Sequence, residues 1–147
     1  MSFIYIASPY SDPNATVRHQ RYLAVSYYVT ALFIQKRFPY SPITANHHLA
    51  LEFDLPSDAN SWMAYNFAML SSASELHVLK LSGWEKSVGV LAEINFWRAA
   101  RQDLPIHYID LDWGAKRSRK QITGTGTGGK VECLPASAAV GRVSKGG

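Results

Sequence analysis

Leu76-His-Val-Leu-Lys-Leu-Ser-Gly83-Trp-Glu-Lys-Ser87-Val-Gly89-Val-Leu-Ala-Glu93 is the stretch that decides the fold. Its first six residues, Leu76 to Leu81, form a short apolar run of the kind that makes a strand inside a sheet. Its second half opens on Ser87, a favoured N-cap, and continues at helical spacing to about Arg101. A strand, a glycine-bearing loop and a helix in succession are the repeating unit of an α/β protein.

The same alternation runs outward in both directions. Phe3-Ile-Tyr-Ile-Ala7 is apolar and ends at Ser8-Pro9, which suits a buried strand. Asp12 or Asn14 caps a helix expected to reach about Arg37, with Val17, Tyr22, Val25, Val29, Leu32 and Phe33 on its apolar positions. Phe38-Pro-Tyr-Ser41 is a brief second strand ended by Pro42. Helices follow over about Thr44 to Phe53 and Asp58 to Ser72, and Ile106-His-Tyr-Ile109 closes the set. Strands separated by helices pair in parallel through right-handed crossovers. The expected fold class is therefore α/β, a single doubly wound, Rossmann-like or flavodoxin-like domain with four to five parallel strands. Ligands of such sheets bind beyond the carboxyl ends of the strands. That directs attention to Ser8–Asn14, Ser41–His48 and Ser82–Glu93.

Charge and glycine divide the chain into two parts. Residues 1–113 hold 8 Lys+Arg against 10 Asp+Glu, whereas residues 114–147 hold 7 basic residues and one acid, Glu132. The net charge of +4 therefore belongs to the tail. Eight of the ten glycines lie there too, and the run Ile122-Thr-Gly-Thr-Gly-Thr-Gly-Gly129 has little apolar surface with which to order itself. The expectation is a domain over 1–113 and a disordered basic tail over 114–147. That tail is the one part suited to nucleic-acid contact, which would be salt-sensitive. Cys133 alone makes neither an internal disulfide nor a zinc cluster. There is no apolar run of membrane-spanning length and no signal-peptide pattern, so no membrane partner and a cytoplasmic location are expected.

Gly83 and Gly89 are the only glycines of residues 1–113, and both lie beside one strand end. Free N–H groups after Ser87 make a helix start that favours anions. Glu93 lies four residues beyond Gly89, on the same helix face, and the missing side chain at Gly89 leaves its carboxylate approachable. The reading is a carboxylate meant to touch a ligand. His47 and His48 lack the spacing of a metal site, although one of them can serve a pocket or a proton relay. His77, between Leu76 and Val78, reads as structural. No phosphate-cradling Thr/Ser-rich turn follows the first strand, which argues against a flavodoxin-type redox role.

Residues 3–110 resemble the nucleoside 2-deoxyribosyltransferase-like superfamily, in particular a phage and bacterial branch of unassigned function. The resemblance is carried by Ile4-Tyr-Ile-Ala-Ser-Pro-Tyr-Ser11, Arg21, Tyr40-Ser-Pro-Ile43 with His47 and His48, Trp62, and Gly83 through Ile94. It implies glycosyl chemistry in two steps. A glutamate at the position of Glu93 attacks the anomeric carbon, the base departs protonated, and water or a second base resolves the intermediate. It implies Tyr5 or Tyr10 beside the nucleophile, and Ser87 on a 5′-phosphate. Ser8, Pro9, Ser41, His47, Trp62, Gly83, Trp84 and Gly89 fall around the substrate. The substrate expected is a nucleoside or its 5′-monophosphate, with no cofactor or metal, and the assembly expected is a homodimer or larger homo-oligomer. One departure stands out. Where relatives that cleave or transfer bases carry an aspartate, this chain has Asn66, and Ser74 replaces a second acid eight residues on. Asparagine hydrogen-bonds but donates no titratable proton. The alternative expectation is thus a nucleotide-binding module, a sensor or sequestering protein, without turnover.

Overall fold

The computed structural model describes residues 2–111, Trp113 and the backbone of Val143–Lys145. Strand β1 is Ile4–Ala7, helix α1 Ala15–Ile34, β2 Pro39–Tyr40, α2 Pro42–Glu52, α3 Ala59–Ser71, β3 Glu75–Leu79, α4 Val88–Ala100, β4 Ile106–Ile109 and β5 Val143–Lys145. The strand order is β2-β1-β3-β4-β5. The first four strands pair in parallel, with Tyr5 opposite Leu76 and His77 opposite His107. β5 adds to the β4 edge in the antiparallel sense. The doubly wound α/β expectation holds, with one refinement: the fifth strand comes from the basic tail and runs against the others. The rest of the tail, on which the expectation of disorder falls, lies outside the described residues.

Side-chain alternation along the strands divides the core. Ile4 and Ile6 meet Val25, Tyr28 and Leu32 of α1 on one face, together with Leu79 and Ile109. Tyr5, Ala7, Leu76 and Val78 meet Leu70 at the end of α3 and Val90, Ile94 and Trp97 of α4 on the other. Phe33, expected on the buried face of α1, is 73% exposed. Ala24, Val25, Tyr28 and Leu32 set the inward stripe, and Phe33 lies about 100° around the helix from Leu32.

The helix starts are fixed by side-chain caps. Asn14 Oδ1 accepts from Thr16 N at 2.9 Å, and Asp58 Oδ1 accepts from Ser61 N at 3.0 Å. α2 starts two residues before the expected Thr44, because Ser41 caps it and Pro42 occupies its first position. Proline has no N–H to lose there, so the residue that ends the strand also begins the helix. Among the described residues, no helix is long and apolar enough to cross a membrane.

Candidate active site

The chain leaves β1 towards β2 on one side and later places β3 on the other, so β1 and β3 flank the point where the winding reverses. Loops diverging there open a crevice at the strand ends. Ser8-Pro9-Tyr10-Ser11 follows β1, and the segment 82–87 follows β3. Arg21 of α1 ties these loops together. Its guanidinium donates to the carbonyls of Ser11 at 2.8 Å, Tyr10 at 3.2 Å and Ser82 at 3.3 Å. Gly83 takes a φ of 86°, the left-handed region where a side chain would be strained. A short 3₁₀ turn, Trp84–Lys86, then delivers Ser87, whose Oγ accepts from Val90 N at 3.4 Å. A Cβ on Gly89 would lie 3.4 Å from Ala59 Cβ, at the edge of ordinary contact, so the starts of α3 and α4 lie side by side here.

One turn into α4, Glu93 is 5% exposed. Tyr5 OH donates to its Oε1 at 2.6 Å, and Asn66 Nδ2 donates to the same oxygen at 3.3 Å. Burial pushes the Glu93 carboxyl up to about 7, against the pull of these two hydrogen bonds. Burial, reinforced by the charge of Glu93, raises the Tyr5 phenol so far that it remains a donor.

Glu93 forms the floor of a cleft with Ser8, Asn66, His47, Trp62 and Gly89. Two buried atoms of its lining, Ser8 Oγ and Asn66 Oδ1, have no protein hydrogen-bond partner. An unpaired buried polar atom costs about 1–3 kcal/mol, which a ligand bonding to it would recover. His47 is also buried. Its Nδ1 lies 2.8 Å from Tyr10 OH, and its ring stacks on Tyr22 at 4.2 Å. Burial first, then the charges of His48, His19 and Arg18, holds His47 below the usual imidazole range.

A second lobe adjoins the first through Ser11, Asp58, Ala59, Ser87 and Gly89. Arg21, Lys86 and the start of α4 line it, and Pro9 and Gly83 complete its rim. These groups favour an anion. Asp58 opposes them, and hydrogen bonds from Ser61 hold its carboxyl below the usual range.

Of the residues expected from sequence, Glu93, Tyr10, Asn66, Ser8, Pro9, His47, Trp62, Gly83, Ser87 and Gly89 line this two-lobed crevice. Besides Tyr5, which bonds Glu93, two do not line it. Ser41 is 1% exposed and caps α2, and Trp84 packs into the core with its ring 5.6 Å from Tyr108. His48 turns away to Tyr22 OH at 3.1 Å. Ser74, eight residues beyond Asn66, bonds the Phe3 carbonyl at 3.0 Å. Arg21 and Lys86 were not singled out as ligand groups. Nothing in their neighbouring residues marks them, since a lone arginine on a helix and a lysine beside a glutamate both read as solvated charges.

These features define a doubly wound α/β domain with a buried carboxylate at the switch point of its sheet, unpaired with any cation among the described residues. Residues 2–108 match the domain of unknown function DUF1937, and the chain belongs to that family. None of the curated proteins matches the chain.

Proposed function

We propose that this domain cleaves or transfers the N-glycosidic bond of a nucleoside 5′-monophosphate, with Glu93 as the nucleophile. The observation that carries the reading is the Glu93 carboxylate itself: buried, held at one oxygen by Tyr5 and Asn66, and facing a cleft rather than a cation. A carboxylate stabilised only by neutral donors keeps its lone pairs for an electrophile. The free oxygen attacks the anomeric carbon as the C1′–N bond breaks, and the bonding pair leaves with the base. Ser8 Oγ and Asn66 Oδ1 supply hydrogen bonds to the sugar or base. The cationic lobe, with Arg21, Lys86 and the Ser87-capped helix start, takes the phosphate. The resemblance to the deoxyribosyltransferase-like superfamily over residues 3–110 supports the same reaction class.

Proton delivery narrows the substrate. Asp58 is held ionised by its capping bonds, and His47 is neutral, so neither is a strong acid near pH 7. Asn66 has no proton to give. The base must therefore depart readily as an anion or take its proton from solvent. The absent acid also supports a second reading, a nucleotide-binding module without turnover.

Base release from ribo- and deoxyribonucleosides and their 5′-monophosphates, modified pyrimidines included, tests the proposal. The chain and Glu93→Ala are compared with and without an acceptor base. Release by the unmodified chain alone is expected, strongest with the monophosphates. Tight nucleotide binding with no base release from any substrate would sink the enzyme reading and leave the binding module.

A further inference from the structure

The opposite face of the sheet carries a polar cluster that the glycosidic reading does not use. Glu75 and His77 are two residues apart on β3 and so share a face, and the register sets His107 of β4 directly beside His77. This is the α1 face, where His77 Nδ1 lies 2.8 Å from Tyr28 OH. Glu75 Oε2 is the common vertex. It lies 3.0 Å from His77 Nε2 and 3.8 Å from His107 Nε2. One donor atom from each of the three residues falls within 4.8 Å of the others.

We infer that Glu75, His77 and His107 form a binding site for one divalent transition-metal ion of the zinc type. Two imidazoles and a carboxylate suit that class, whereas calcium and magnesium call for oxygen ligands. Ligands about 2.0–2.2 Å from a tetrahedral ion lie roughly 3.3 Å apart. The His77–Glu75 pair is already slightly closer than that, and His107 closes the triangle by moving inward. His107 lies part-exposed, which leaves it room to move.

The surroundings complete the argument. Metal-bound histidines usually place the other ring nitrogen on a hydrogen-bond partner that sets the tautomer. Tyr28 OH is that partner for His77. Without an ion the phenol donates to Nδ1, and Nε2–H donates to Glu75. With an ion on Nε2 the proton resides on Nδ1 and the phenol accepts it, so His77 keeps one proton and stays neutral. Arg37 Nη2 reaches both Glu75 oxygens, at 2.8 and 2.7 Å. When Oε2 turns to the ion, Arg37 retains Oε1 and orients the ligating carboxylate. Its charge weakens binding, so removing it without disturbing Glu75 strengthens the site. Three protein ligands leave a fourth position to solvent.

Cobalt(II) tests this on the full chain after treatment with chelator, because its visible absorption reports coordination number. One equivalent should bind saturably and be displaced by zinc. His107→Ala should lose this absorption, and Tyr28→Phe should weaken affinity by roughly 10–100-fold. A chain carrying His48→Ala and Cys133→Ser should bind as before, since its remaining donors include all three proposed ligands. The imidazole resonances of His77 and His107 in the unmodified chain should shift on addition of zinc, a readout that stands even where a variant fails to fold. No saturable uptake would overturn the site. So would uptake that persists in His107→Ala, or zinc shifts confined to His19, His47 and His48. The outcome is independent of the glycosidic reading, which concerns the other face.

Discussion

Glu93 and Glu75 lie on opposite faces of one sheet and are driven in opposite directions. Glu93 is buried among apolar side chains of α4 and β1, and only neutral donors touch it, so burial dominates and the carboxyl rises to about 7. Burial also pushes Glu75 upward, but hydrogen bonds from His77 and Arg37, with the charge of Arg37, outweigh it and hold the carboxyl below its usual range. The difference lies in the neighbours, not the residue type. A carboxylate paired with a cation has both oxygens engaged and stays ionised, whereas one supported only by a phenol and an amide at one oxygen retains the other free.

The strongest way to break this contrast is to remove the reactive carboxylate. Glu93→Ala should lower base release by at least about 10⁴-fold in kcat, as expected when a nucleophile is lost. In the unmodified chain, kcat/KM should rise with pH through about 7, because the nucleophile must be ionised. A rate that falls through the same range would make Glu93 an acid and reverse its role.

Stability provides the next test. Glu93 has a folded-state value near 7 against an ordinary 4.5, so between these pH values the folded chain binds more protons than the unfolded one. Stability is then greatest below about 4.5, falls as pH rises, and levels off above about 7. Glu93→Gln should thus match the unmodified chain near pH 4.5 and exceed it at pH 8. The gain is about 3 kcal/mol, or roughly 10 °C in Tm, and thermal melts at the two pH values measure it. Equal melting temperatures at pH 8 would mean that Glu93 is not destabilised by burial.

Tyr5→Phe sharpens the comparison by removing the 2.6 Å hydrogen bond. A bond to a charged group contributes about 1.5–3 kcal/mol, so the midpoint of the rate profile should move upward by about one to two pH units. An unchanged midpoint would show that Tyr5 is merely core packing. The smallest effect is expected at the paired carboxylate. Arg37→Gln should cost about 1 kcal/mol or less in chemical denaturation, because both partners of that ion pair are about one-third exposed. It should leave base release unaltered.

The alternation of strands and helices was legible because periodicity is local, and so was the cap at Ser87, with Asn14 one of two candidates for the start of α1. The candidate carboxylate was legible too, since two glycines beside one strand end are a pattern within eleven residues. Phe33 was misread because an apolar residue type alone does not say how wide the buried stripe is, and Phe33 lies about 100° around the helix from Leu32. Ser41 and Trp84 were placed around the substrate, but a cap and a core contact claim them, and neighbours distant in sequence decide that competition. Arg21 was quoted only for the resemblance and not as a site residue, because its hydrogen bonds join two loops that are far apart in the chain.

Sequence alone determined the order of elements up to β4, the parallel winding of those four strands and the strand ends to inspect for a ligand. All of these follow from short-range pattern and from the handedness of the chain. Only the tertiary structure decided which carboxylate is left without a cation, which polar atoms are left unpaired in the cleft, and that Glu75, His77 and His107 share one corner. Protonation and coordination depend on burial and on neighbours up to 88 positions apart, as for Tyr5 and Glu93. No local pattern encodes those.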